Sequence, residues 1–237
     1  MPPSQLALAL PPPAPGHGGR RPGAGRKPTR RGSFVAHTAR PFHDRHHPLH
    51  VTLRVQRRLA NLRRFKLAAA IGKALRADAT ETGARRLDRF RVVQFSIQHD
   101  HLHLIVEAST KVALGRGMKA LTCRVAKAVN RALRRSGPVF ADRYHARELA
   151  TPREVRNALR YVLLNAIKHA EADPFPDLGT AVDDGIDPCS SARWFDGWKR
   201  PPPRELDPPC APARAWLLRI GWKRHGLLVR DECPSSD

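Results

Sequence analysis

The run His101-Leu102-His103 sets two imidazoles two residues apart inside an apolar stretch, HLHLIVEA. Side chains alternate on a strand, so both histidines share one face while Leu102, Leu104 and Val106 share the other. Their Cα atoms then stand roughly 6.5–7 Å apart, close enough for one nitrogen of each ring to converge on a divalent cation. The same spacing also fits two polar residues on the solvated face of a half-buried strand. The pair gains meaning only with a partner. The chain has two tyrosines, Tyr144 and Tyr161. Near the second, Val155, Leu159, Val162 and Ala166 make an apolar helical stripe from which Tyr161 projects, with Asn165 one turn further on beside it. A surface tyrosine on an amphipathic helix would look the same. A phenol, with an ordinary pKa of about 10, is a weak nucleophile near neutrality. To attack a phosphodiester it needs the phosphate charge neutralised and the oxygens oriented, which Mg²⁺ or Mn²⁺ supplies as Lewis acid and template. The product would be a covalent phosphotyrosine, which keeps the bond energy for a later joining step.

The elements that must position these groups follow from the patterning. Residues 50–55 (HVTLRV) and 90–98 (FRVVQFSIQ) read as strands, and His101–Ala108 as a third, with His99-Asp100 a tight turn closing a hairpin. Residues 62–77 are rich in Ala, Leu, Lys and Arg and predict a helix. A second helix is expected over 111–135, stopped by Ser136-Gly137-Pro138. On it Met118, Leu121, Val125, Val129 and Leu133 form one stripe, with Arg124, Lys127, Arg131, Arg134 and Arg135 on the other side. Residues 139–149 read as irregular or a short strand. Thr151-Pro152-Arg153-Glu154 is a capping box with Pro at the first helical position, opening a helix to about residue 168. The order β-α-β-β-α-(β)-α predicts an α+β fold, a ferredoxin-like antiparallel sheet with helices packed on it.

Charge divides the chain of 237 residues in three. Its net charge of +22 points to a polyanionic partner, nucleic acid before an acidic membrane surface. Residues 1–49 carry eight basic residues and one acid, residues 50–170 carry 26 and 8, and residues 171–237 carry 9 and 12. The expected organisation is a basic Pro/Gly-rich disordered arm (1–45), one folded domain (46–170) and a Pro-rich extension with Trp-bearing segments (171–237). No apolar run reaches the roughly 18 residues of a membrane span. The apolar residues 6–10 are too short for a secretory signal and run into three prolines. Cys123, Cys189, Cys210 and Cys233 include no C-x-x-C pair, so neither a disulfide framework nor a zinc knuckle is indicated. A soluble, cytoplasmic, nucleic-acid-facing protein is expected.

Three runs in this order, 92–108 (VVQFSIQHDHLHLIVEA), 137–149 (GPVFADRYHAREL) and 151–169 (TPREVRNALRYVLLNAIKH), resemble the single-tyrosine HUH transposases. The nearest branch is the bacterial REP-associated tyrosine transposases, with their IS200-like domain. The resemblance covers about residues 46–170, and GGRRPGAGRKP in the arm is similar to the basic leader of some members. It implies that His101 and His103 bind the metal, that Tyr161 is the nucleophile, and that Asn165, four residues on, completes the metal site. It also implies nicking and joining of single-stranded DNA beside a hairpin, through a 5′-phosphotyrosine and a free 3′-OH, commonly by a homodimer. Two places depart from the family pattern: Asp100, preceded by His99, stands where members usually carry Asn just before the first motif histidine, and Asn165-Ala166 replaces the common Asn-Pro.

The basic side of the second helix (Arg124, Lys127, Arg131, Arg134) is a candidate phosphate-contact face, or a merely solvated one. Arg143 and Arg147 flank Tyr144 in a stretch that would contact DNA, support the site, or pack the sheet edge. Arg26 and Lys27 sit in an arm of the kind that enters a minor groove, or acts as a sequence-blind tether. Trp194 and Trp198 would stack bases or pack the extension on the core, packing being preferred. The competing reading is a domesticated, non-catalytic protein that recognises repeated palindromes. A cupin-like metal enzyme built on H-x-H would need more strands and a further metal-ligand motif.

Overall fold

In the strand LHVTLR, every second residue is apolar, and Leu49, Val51 and Leu53 turn inward while His50 and Thr52 stay half-buried on the other face. A computed structural model of the chain describes residues 42–80, 90–170, 186–203 and 208–232. In chain order the elements are β1 (Leu49–Arg54), α1 (Phe65–Thr80), β2 (Phe90–Ile97), β3 (His101–Ala108), α2 (Lys111–Ala132), β4 (His145–Glu148) and α3 (Pro152–Ala170). The strands form one antiparallel sheet in the order β2-β3-β1-β4, the arrangement of a ferredoxin-like α+β fold. This is the fold class expected from the sequence. A short helix, α4 (Trp216–Arg219), and two single 3₁₀ turns follow.

The two crossover helices cover one face. Leu67, Ile71 and Leu75 of α1 recur every fourth residue, and Leu114, Met118, Leu121, Val125 and Val129 form the buried stripe of α2. Both pack on Leu102, Leu104 and Val106 of β3, the even-numbered face that alternation assigned to the core. Thr110 caps α2, its hydroxyl accepting the Ala113 N–H at 3.0 Å. Arg134 ends it in the left-handed region (φ +49°), where the Arg135 N–H returns to the Asn130 carbonyl at 2.9 Å. The helix therefore stops at Ala132, three residues short of the expected 135. Gly117 stands inside α2 because the Phe90 ring lies where a Cβ would be.

Strand β2 does not alternate cleanly, since Val92 and Val93 are adjacent and both buried. A bulge between Val92 and Gln94 resolves this: Val92 and Phe95 face α1 and α2, and Val93 turns to the opposite face.

That opposite face is covered by α3 and the C-terminal residues. Val155, Leu159 and Val162 of α3 pack with Ile105, Val93 and Leu149, and with Phe195, Trp198, Leu218 and Trp222 from the extension. Because α3 has the sheet on one side and the extension on the other, Leu163, Leu164 and Asn165 are buried as well as Val155, Leu159 and Val162. Trp198 donates its Nε1–H to the Ala192 carbonyl at 2.7 Å and is buried, whereas Trp194 is half-buried. The extension also closes the β2 edge. The Ile97 N–H donates to the Cys189 carbonyl at 2.8 Å, the Ser191 N–H to Phe95 at 2.9 Å, and the Ala211 N–H to Val92 at 3.0 Å. At the other end of the chain, His43 is already buried and hydrogen-bonded to Glu148 and to the Ala108 carbonyl, so packed contacts begin ahead of residue 46.

Candidate active site

Strand β3 presents His101 and His103 on the face opposite Leu102 and Leu104, in register with Arg54 and Thr52 of β1. The two Nε2 atoms lie 2.9 Å apart, with the rings nearly perpendicular at 86°. Each ring has a partner at its other nitrogen. His101 donates its Nδ1–H to the Asp100 carboxylate at 2.6 Å. Nδ1 of His103 lies 3.1 Å from Nε2 of His50 and 3.3 Å from the Thr52 hydroxyl. The Tyr161 ring from α3 closes the group, edge-on to His103 with centroids 5.0 Å apart and 5.8 Å from His50. Tyr161 is half-buried. Asn165, one turn further along α3, is 1 % exposed, and its Nδ2 has no hydrogen-bond partner among the described residues.

The local electrostatics keep these partners in defined states. Burial lowers the His50 pKa to about 4, and the positive potentials of His145, Arg147 and His101 act in the same direction, so its imidazole is neutral near pH 7. Burial works to raise the Asp100 carboxyl, but the hydrogen bond and charge of His101, with the charge of Arg54, outweigh it and hold the pKa below its usual value.

Among the described residues no group of three or more His, Cys, Asp or Glu is arranged to hold a metal. A divalent cation would therefore rest on the imidazole pair and the Asn165 amide. The donors fit one. Two imidazole lone pairs facing each other at 2.9 Å repel unless a proton or a cation lies between them. That separation is close to the ~3.0 Å between neighbouring ligands of an octahedral shell with bonds of ~2.1 Å. The Asn165 amide is buried with its Nδ2 unpartnered, and turning the amide over would put its oxygen, an atom that Mg²⁺ and Mn²⁺ take as ligand, in that place.

The candidate DNA contacts are spread more widely. Lys127 and Arg131 are exposed on α2 and Arg134 just past its end, behind the sheet from the histidine pair. Arg124 is half-buried, with Nε and Nη2 hidden from solvent, so it flanks the apolar stripe and does not share their open face. Arg147 is exposed on β4 and donates to Glu154 at 3.1 Å, while Arg143 is half-buried in the loop before β4. Arg26 and Lys27, with the rest of the arm to residue 41, lie outside the described residues. Sequence reasoning missed His50 and Thr52. Their signal was the alternation of HVTLRV, which puts both on one strand face, but only strand pairing sets that face beside His103.

Residues 49–163 match the family model described as Transposase IS200 like. The chain carries an IS200-like transposase domain. The match runs from β1 into α3 and includes His101, His103 and Tyr161; Asn165 and the described extension lie beyond it. One solved structure similar to the chain is a REP-associated tyrosine transposase bound to a REP hairpin. It is 15% identical, with a TM-score of 0.43, and the alignment covers 65% of this chain and 90% of the other. Another is a transposase candidate from Deinococcus radiodurans R1, 17% identical with a TM-score of 0.35, covering 50% of this chain and 87% of the other. No curated protein is significantly similar to this chain. No helix among the described residues is long and apolar enough to cross a membrane.

Proposed function

We propose that this transposase nicks and rejoins single-stranded DNA beside hairpins of the REP type through a 5′-phosphotyrosine on Tyr161. The observation that carries the reading is the approach of the Tyr161 ring to His103, within one chain, beside two Nε2 atoms 2.9 Å apart. In the nicking step the Tyr161 phenolic oxygen bonds to the scissile phosphorus and loses its proton. The bond from phosphorus to the 3′ oxygen breaks, and that oxygen takes up a proton to leave as a 3′-OH. A 3′-OH on the incoming strand reverses the step and frees the tyrosine. Held by His101, His103 and Asn165, Mg²⁺ or Mn²⁺ supplies charge neutralisation and orientation of the phosphate oxygens. The buried helix α3 fixes the phenol relative to the histidines, so the reactants need not be ordered at each turnover.

In this reading residues 46–170 are the catalytic domain and 171–237 the extension that braces α3. Lys127, Arg131, Arg134, Arg143 and Arg147 meet phosphates together with Arg26 and Lys27 of the arm, Arg124 contributing less from its half-buried position. The protein works as a homodimer on nucleoid DNA in the cytoplasm. The test is incubation with single-stranded hairpins and Mg²⁺ or Mn²⁺, followed by denaturing gels for a protein–DNA adduct. The adduct should form with the natural chain and vanish in Tyr161→Phe; an adduct on the Phe variant would remove Tyr161 as nucleophile. His101→Ala should lose cleavage and keep hairpin binding. Binding by the natural chain with no adduct under any metal would instead make it a non-catalytic hairpin-binding protein.

A further inference from the structure

Asp100 and His50 each touch the Nδ1 side of one histidine of the pair, and neither has a role in the mechanism above. An ionised carboxylate only accepts, so the shared proton at 2.6 Å sits on Nδ1 of His101 and leaves its Nε2 with a free lone pair. His103 has two possible partners at Nδ1. The Thr52 hydroxyl can donate or accept, at 3.3 Å; Nε2 of His50 is nearer, at 3.1 Å, and accepts when the His50 proton is on Nδ1. Which nitrogen of an imidazole can bind a cation is decided by the hydrogen bond at the other one.

We propose that Asp100 and His50 are the positioning residues of the metal site, each accepting the Nδ1 proton of one histidine, so that both Nε2 lone pairs face the cation. The inference rests on reading the His101–His103 pair as a metal site. It gives Asp100 a task that a carboxylate performs more strongly than an amide, because a hydrogen bond to an ionised acceptor is the stronger kind. The residue that departs from the usual Asn is then a firmer anchor for His101. His50 does for His103, from the neighbouring strand, what Asp100 does for His101 from the hairpin turn.

The test uses the full chain, with ¹⁵N NMR of the imidazoles in Mg²⁺ and Mn²⁺ titrations followed by electron paramagnetic resonance. Both His101 and His103 should be protonated at Nδ1 and bare at Nε2 in the Mg²⁺-saturated protein. Asp100→Ala should raise the Mn²⁺ dissociation constant about 10- to 100-fold, with a similar rise for His50→Ala. Asp100→Asn and His50→Gln, whose side-chain oxygens still accept from Nδ1–H, should restore most of the affinity. A bare Nδ1 on either ring of the natural chain overturns the proposal, and that measurement stands even if a His50 variant fails to fold. Equal losses for Asp100→Asn and Asp100→Ala also overturn it, since Asp100 would then act through charge alone. Retention of full Mn²⁺ affinity by both His101→Ala and His103→Ala is a different result: it removes the metal site itself, and the proposal with it.

Discussion

Asn165 is where stability and the proposed metal site pull against each other at the scale of one residue. A buried amide with an unpartnered Nδ2 costs a fold about 1–3 kcal/mol. Rotated about its last torsion, the same amide places Oδ1 in that position, the atom a hard cation prefers. Asn165→Leu, similar in branching and free of polar atoms, should therefore stabilise the chain by about 1 kcal/mol in a urea titration. It should at the same time weaken Mn²⁺ binding; a less stable variant with unaltered metal affinity would contradict both expectations. The histidine pair and the tyrosine with its Asn were readable from spacing. His50 was not, because 53 positions separate it from His103 and nothing local announces that β1 will pair with β3.

At the scale of elements, α3 carries Tyr161, the proposed nucleophile, and its start was fully written in the sequence. The Glu154 N–H donates to the Thr151 hydroxyl at 3.2 Å, and the Thr151 N–H donates back to the Glu154 carboxylate at 3.0 Å, the two halves of the capping box. Burial works to raise the Glu154 pKa, but hydrogen bonds from the Thr151 hydroxyl, the Ala150 N–H and Arg147 outweigh it and hold the pKa below 4.5. A carboxyl depressed in the folded state adds stability above its unfolded pKa and loses it as pH falls through the folded value. Glu154→Gln should thus cost about 1 kcal/mol at neutral pH. The gap from the natural chain should close in acid, below the ordinary carboxylate range, when unfolding is followed by circular dichroism at a series of pH values. A gap constant with pH would mean that the Glu154 charge contributes nothing. The bulge in β2 was less legible, because a pair of adjacent valines fits a bulge, a slipped register or a strand buried on both faces equally well.

Across the whole molecule, the extension is what completes the second face of the sheet. Val93, Ile105 and Leu159 would meet water without Phe195, Leu218 and Trp222, and the β2 edge would be left open at Phe95 and Ile97. A chain ending at residue 185 should lose cooperative unfolding or aggregate, as read by circular dichroism and light scattering. A soluble, cooperatively folding truncation would show that α3 and the sheet suffice alone. The charge of +22 has its own consequence at this scale. If six or more phosphates are neutralised, hairpin affinity should fall about 10³-fold or more between 50 and 200 mM salt. A flat response would remove the basic surface from the account of binding.

The sequence alone determined the periodicities, the cap of α3, the inward and outward faces of β3 and the excess of positive charge. Each of these is set by neighbours within a few residues along the chain. Only the tertiary structure decided which groups meet His101 and His103. Strand pairing brings His50 and Thr52 to one imidazole, the hairpin turn brings Asp100 to the other, and the packing of α3 on Ile105 and Val93 delivers Tyr161. Packing of the extension on the core was the preferred reading of its tryptophans, but which sheet face it covers was visible only in the structure. The physical reason is the same in each case: contacts between distant segments depend on how apolar faces are buried together, and no local pattern encodes the partner.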